Sequence, residues 1–332
     1  MIEVQTLWEW QIAIYLFLGG LGAGAFITAA VLFFATPKAL SIAGKERPLC
    51  VTAWVSTACL VIGLLLLLSD LIQPLRGLML WQSFSNLGSW MTIGAWLVLA
   101  TVIVFGITAV CLTATVLPAL REKFSVPNGV YALLFGSGAF LGLGVALYTG
   151  VLLMAAEGIP FWNTILLPCL FTVSALGTGV ALIEIILALS QGRGEGAEKD
   201  GLHWSHRVGR YLRVGVIVLV LLETAALFVF VSSAASGSGA EASIADAASF
   251  SANLLLSGEF AGVFWGLVIV CALILPLAAA MVGFIVKGKA GEVSVVIGAV
   301  AALAGGCALR FVVLLAGAHA APVLDAVTKI IS

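Results

Sequence analysis

Eight apolar stretches, each long enough to cross the roughly 30 Å hydrocarbon core of a bilayer, follow one another along the 332 residues of this chain. They fall at 11–35, 50–71, 89–117, 130–154, 164–190, 211–232, 260–286 and 294–317, each bounded by Pro, Gly, Asn or charged residues. The pattern predicts an all-α polytopic membrane protein of about eight transmembrane helices, with no stretch left for a sizeable soluble domain. The longest charged connection, 191–210, separates four spans from four, which predicts two packed four-helix halves. Three regions follow: 1–190 with the first four to five helices, the charged loop 191–210, and 211–332 with the remaining helices. Within the last region the connection 233–258 is rich in Ser, Ala and Gly, as suits either a flexible link or a short surface helix.

Composition agrees: 62% of residues are hydrophobic and 9% charged, whereas a soluble domain is roughly a quarter charged. The net charge of −1 says little about partners, but its distribution sets an orientation. The alternate connections at 36–49, 118–129, 191–213 and 287–293 hold twelve of the fifteen Lys and Arg residues; only Arg76, Arg310 and Lys329 lie elsewhere. By the positive-inside rule these connections, 191–210 among them, are cytoplasmic and both termini extracytoplasmic. The first apolar run follows MIEVQTLWEWQ, which carries Glu3 and Glu9 and no basic residue. That is the wrong start for a cleaved signal peptide, so 11–35 is expected to be a retained span anchored by Trp8 and Trp10.

Chemistry is constrained first by what the spans lack. Cys50, Cys59, Cys111, Cys169, Cys271 and Cys307 are scattered singly through apolar runs, as small core residues would be. His203, His206 and His319 all lie outside the spans, so no intramembrane pair is expected to ligate a b-type haem. Neither a metal site nor a Walker, GxSxG or HExxH motif is present, which disfavours a self-contained hydrolase or ATPase.

Ionisable groups inside a bilayer cost several kcal/mol unless they face protein or water, and here most gather toward the outer side. Glu9 and Gln11 open the first span, Asp70 closes the second, Arg76 follows it, Tyr148 ends the fourth before Glu157, and Arg310 lies in the outer part of the eighth. With Trp81, Asn86, Trp90 and, just past the last span, His319, they are candidates for a polar and aromatic pocket suited to an amphipathic ring compound. An interfacial aromatic belt with a structural Asp70–Arg76 pair explains the same residues. Glu223, near the middle of the sixth span, and Glu184, in the inner half of the fifth, stand apart. Carboxyls at that depth serve either as helix–helix hydrogen bonds or as a proton relay.

An ordered set of segments carries a family resemblance. The first span reads WEWQIAIYLFLGGLGAGAF and the second ends SDLIQPLRGLMLWQSFSNLGSWMTIGAW. The fourth ends YTGVLL, followed by PFWNTILLPCLFTVSALGTG, and the eighth carries GGCALRFVVLLAG. This set resembles the NrfD/PsrC family of membrane subunits of polysulfide-reductase-type molybdenum complexes, over nearly the whole chain. The resemblance implies a haem-free, multi-pass quinone/quinol subunit of the bacterial cytoplasmic membrane without a redox centre of its own. Its electrons would pass to an iron-sulfur subunit with several [4Fe–4S] clusters and a molybdopterin catalytic subunit, docked at the extracytoplasmic face. It further implies a menaquinone or menaquinol ring near the outer surface, contacted from the first and fourth spans. By motif Tyr148, Asp70 and Arg76 match family positions; where the polysulfide reductase member offers His and Asn, this first span offers Glu9 and Gln11. Tyr148 and a first-span polar group are thus expected to hold the ring, with Asp70 or Glu9 accepting protons. The rival readings are a secondary transporter or proton channel built around Glu184 and Glu223, and a purely structural membrane anchor.

Overall fold

Inside hydrocarbon every backbone N–H and C=O must bond within the protein, so each apolar run is driven to be helical. A computed structural model describes residues 3–5, 8–35, 46–69, 89–117, 126–156, 158–191, 199–237, 242–286 and 288–319. Among them are eight helices long and apolar enough to span a membrane. They are Trp10–Ala35, Glu46–Ser69, Trp90–Val116, Asn128–Met154, Leu166–Gln191, Lys199–Ser236, Ala261–Ile285 and Lys289–Leu315. The sixth departs from expectation, because the charged stretch 199–210, predicted as loop, is helical. It contains no proline, so nothing local ends the helix where the hydrocarbon does. In the connection 233–258 the structure shows a surface helix, Ala242–Leu256, packed on the sixth span.

The described ends of the protein meet. Strand β1 (Glu3–Val4) pairs antiparallel with β2 (Ala318–His319), Glu3 opposite His319, so the two described ends lie on one side of the helices. Gln5 ties the N-terminal segment down: its side-chain Nε2 donates to Leu314 and Trp8 carbonyls while its Oε1 accepts from the Trp8 backbone N–H. Trp8, expected as an interfacial anchor, packs its ring 5.3 Å from that of buried Trp162, whose indole N–H donates to the Val313 carbonyl.

The spans form two four-helix sets. The first packs on the second and fourth, with the third closing the ring; the fifth packs on the sixth and eighth, with the seventh between them. The first and fifth spans join the sets and are the most enclosed, 72% of their most apolar stretch being buried against 33–44% for the other six. Lipid tails are as apolar as leucine, so such helices associate through close packing of small residues. Gly24 lies against the Ala175 backbone and Gly179 against the Gly24 backbone, so a Cβ on either would overlap the partner helix. Beside this crossing the Phe26 ring stacks on Phe105 at 3.7 Å and occupies the space a side chain at Gly138 would need. Outward-facing Phe140, Phe228 and Ile285 are exposed, as lipid-facing positions should be.

The seventh span is irregular. Phe264–Ile274 is π-helical, and the helix returns to α geometry over Leu275–Ile285 with Pro276 at its start. The Leu275 N–H bonds the Val270 carbonyl, and Pro276 has no N–H to offer the next one. At least one carbonyl of the 271–273 stretch is therefore left without an intrahelical donor.

The crossing predicts a contrast between glycines. Gly24→Val and Gly179→Val should each destabilise the protein by at least about 1–3 kcal/mol through overpacking. Gly215→Ala, where an added Cβ meets nothing within 4 Å, should be neutral or stabilising by up to about 1 kcal/mol. Thermal unfolding midpoints of the detergent-solubilised variants check both.

Candidate functional site

Two polar clusters lie in the bundle, one in each half. The first forms where the first, third and fourth spans meet, toward the side that holds both ends of the protein. Tyr148 comes six residues before the end of the fourth helix and is buried. Its ring lies directly over Gly94 of the third span, where any Cβ would overlap the phenol. Buried Tyr15 of the first span lies within electrostatic range of Tyr148 and packs its ring against Gly63 of the second. Gln11 stands one helical turn before Tyr15, on the same face. Its side-chain oxygen Oε1 is buried without a hydrogen-bond partner. The cluster thus offers two phenol groups and an unmatched acceptor among apolar walls.

Other residues of the expected pocket are placed differently. Glu9 is exposed, just before the first helix. Trp90, the first residue of the third helix, is 54% exposed. His319 is half-buried in β2, with its Nδ1 3.3 Å from the Gly158 carbonyl oxygen. Asp70, Arg76, Trp81, Asn86 and Glu157 lie outside the described residues.

Arg310 belongs to the second cluster and not to the outer interface where its position along the eighth span suggested it would lie. It is fully buried at the junction of the two halves. One Nη1 hydrogen bond goes to the Gly306 carbonyl (2.9 Å) and another to the Ser174 hydroxyl, while Nη2 donates to the Phe171 carbonyl (3.1 Å). The guanidinium lies 5.0 Å from the Phe171 ring centroid, and its Nη2 is 3.3 Å from where a Cβ on Gly20 of the first span would be. The Glu223 carboxyl lines the same space as Ser174 and lies within electrostatic range of Arg310, so the hydroxyl that Arg310 bonds sits between a buried cation and a buried acid.

Beside Ser174 and Glu223 a narrow cavity with room for about one or two waters runs between the fifth, sixth, seventh and eighth spans. Ser174, Thr178, Glu184 and Glu223 supply its polar lining, and Ala272 and Pro276 of the irregular seventh span lie in its wall. Glu184, toward the other side of the bundle, lies within electrostatic range of Arg213. Each acid thus has a basic partner and an opening onto shared space. Among the described residues no three His, Cys, Asp or Glu side chains come together as a metal site would require.

Tyr15, Ser174 and Gly94 were not singled out from sequence. The one signal for Tyr15 was its i, i+4 spacing from Gln11 in a protein with four tyrosines; Ser174 and Gly94 became significant only through helices distant in sequence.

Known proteins resemble this sequence along much of its length. The sequence matches the family described as "Polysulphide reductase, NrfD" over residues 3–321. It is 30% identical over 328 residues to the C subunit of the polysulfide reductase of Wolinella succinogenes, covering 94% of each protein. It is also 30% identical over 205 residues to protein NrfD of Escherichia coli, covering 56% of this sequence and 61% of that one. A NrfD homolog of Haemophilus influenzae is 26% identical over 296 residues, covering 83% of this sequence and 84% of the other.

The Arg310–Ser174–Glu223 cluster predicts strong coupling. Arg310→Met leaves a buried acid without its counter-charge and should cost about 3–5 kcal/mol. Adding Glu223→Gln should recover a substantial part of that loss. Unfolding midpoints of the two single variants and the double variant check the coupling; additive effects would contradict it.

Proposed function

The chain belongs to the polysulphide reductase NrfD family, and from that premise we propose that it is the quinone-reactive membrane subunit of a multi-subunit oxidoreductase. The observation that carries this reading is the cluster in the first half, where the unmatched Gln11 oxygen shares a face with Tyr15, and Tyr15 lies within electrostatic range of Tyr148. A quinol ring brings two hydroxyl donors and a flat apolar body; a quinone ring brings two carbonyl acceptors. Gln11 Oε1 accepts from the first form, the phenols of Tyr15 and Tyr148 donate to the second, and apolar helix faces hold the ring. The residues present therefore fit either oxidation state of the ring.

Oxidising a quinol removes two electrons and two protons. The phenols orient the ring, but neither they nor the amide of Gln11 are strong bases. Proton acceptance therefore falls to a carboxylate, Asp70 or Glu9, as the family motif implies. With the termini outside, as the charge distribution expects, this chemistry takes place at the outer face. The electrons then leave for a partner subunit. In our reading that partner is the iron-sulfur subunit of a molybdopterin enzyme, and menaquinol is the expected donor. The name of the Wolinella relative, one lettered subunit of a reductase, supports membership of such an assembly.

The test uses the intact complex in its membrane. Tyr148→Phe and Asp70→Asn should each lower quinol-dependent turnover by about a hundredfold or more, the scale of a lost proton-transfer or orienting group, with assembly unchanged on native gels. Menaquinone should co-purify with the wild-type protein. Wild-type turnover in both variants would overturn the assignment, and is what a purely structural anchor requires.

A further inference from the structure

A third charged feature lies outside both clusters, at the corner where the sixth, seventh and eighth spans come together opposite the two described ends of the protein. The sixth helix brings Arg210 and Arg213 to it, three residues apart and so on one face. Arg213 is held there by packing. Its Nε is buried without a partner, 3.1 Å from where a Cβ on Gly283 of the seventh span would be. Its Nη2 lies 3.7 Å from the Cβ position of Gly209, one turn nearer the outer end of the helix, so the charged head leans toward the surface. Gly283 also lies against Gly291, in the first turn of the eighth helix, which opens two residues earlier with Lys289. The three basic residues thus share one corner, and Arg210 and Lys289 are exposed.

What faces these cations decides what they bind. Among the described side chains, Glu184 lies deeper in the bundle, within electrostatic range of Arg213. Glu292, exposed on the first turn of the eighth helix, is set against the free N–H groups of its own helix end. Three cations against one exposed acid leave the corner positive. Immediately beneath it the surface turns apolar. Val214, Val218 and Leu221 follow Arg210 down one face of the sixth helix, and all are exposed. Phe284, Met281 and Ile274 form a second exposed row on the seventh, and the Phe284 ring lies 5.8 Å from the Arg213 guanidinium. Exposed Tyr211, beside Arg210, is of a type that sits at headgroup level.

A soluble anion would use the charged corner and leave the apolar rows unused. A phospholipid with a net negative head uses both, because its phosphate oxygens accept from guanidinium and ammonium groups while its acyl chains cover the rows. A zwitterionic head brings a cation of its own to a corner that is already positive. The charge distribution marks this side as cytoplasmic, where anionic lipid attracts basic residues next to a span.

We propose that the corner formed by Arg210, Arg213 and Lys289 holds one anionic phospholipid, its phosphate at the three basic groups and its chains along the exposed rows of the sixth and seventh spans. The lipid supplies the counter-charge that Glu292 by itself does not. Neither the ring site of the first half nor the buried cavity of the second takes part.

The test uses the full-length protein in detergent, supplied with phosphatidylglycerol and phosphatidylcholine of the same chain length at equal concentration, with bound lipid counted by native mass spectrometry. The wild-type protein should retain phosphatidylglycerol at least about tenfold over phosphatidylcholine. Arg210→Gln and Lys289→Gln should each lower that preference about fivefold, the contribution of one basic residue near an anionic surface, and the double variant should lose it. Both side chains are exposed, so neither change disturbs the packed interior. Arg47→Gln, at an exposed arginine that begins the second span on the same side, should leave the preference unchanged, and inorganic phosphate should not displace the lipid. Equal retention of the two lipids by the wild-type protein, an undiminished preference in the double variant, or an equal loss in Arg47→Gln would overturn the proposal. Displacement by inorganic phosphate would overturn it too, as the mark of a site for a soluble anion. Quinol turnover enters none of these measurements, so the two proposals fail separately.

Discussion

Close backbone contact between the first and fifth spans, at Gly24, Ala175 and Gly179, sets the geometry on which the two halves depend. In water, burial of apolar side chains would bring helices together; in lipid that force is absent, and the separation of two helices is set by the smallest residues at their crossing. The first span is thereby held against the fifth and, through it, beside the eighth. Its Gly20 leaves the passage that the Arg310 guanidinium occupies. On its opposite side the same span presents Tyr15 to Tyr148 and Phe26 to Phe105. A bulkier residue at the crossing would shift the phenol cluster and the arginine together.

The two halves solve the problem of polarity in hydrocarbon differently. In the first, polarity is kept neutral: phenols, an amide and hydroxyls bonded to their own helix, as Thr149 is to the Ala146 carbonyl. Such groups are inexpensive to bury and well suited to holding a ligand with matching donors and acceptors. In the second, polarity is ionisable, with Arg310 near Glu223 and Arg213 near Glu184. Charges of opposite sign lower each other's desolvation cost only at close range, and Arg310 is held in place by its bonds to the Ser174 hydroxyl and the Gly306 and Phe171 carbonyls.

Hydropathy made the eight spans legible because the bilayer acts on every residue of a crossing segment alike. The same averaging hid what depends on one helix alone or on two helices meeting. The sixth helix runs outward through 199–210 because a helix ends where its own sequence ends it, and hydropathy reports only the edge of the lipid. The π-helical FWGLVIVCALI segment is uniformly apolar, so no periodicity marks it, and Pro276 was its sole trace. Tyr15 lay unnoticed in an apolar run until packing of the first on the fourth span brought it to Tyr148. Arg310 was assigned by depth to the outer interface, yet side chains on an α-helix lean toward its N-terminus. The eighth helix ends on the side that holds both ends of the protein, so its arginine reaches back toward mid-membrane and bonds the Gly306 carbonyl one turn earlier. Glu184 and Glu223 were visible as acids at the wrong depth; that they line one cavity depends on four helices and is not written in any one of them.

Stability alone gives little reason for the second cluster. Well-packed apolar residues in place of a buried ionic group are often as stable or more so, and the surrounding Ala, Gly and Val walls show that apolar packing was available at this site. The cluster also leaves a defect behind, since Arg310 Nε is buried without a partner. A solute carrier would use such charges, but it needs room for its cargo, and here small residues close the space to the size of a water or two.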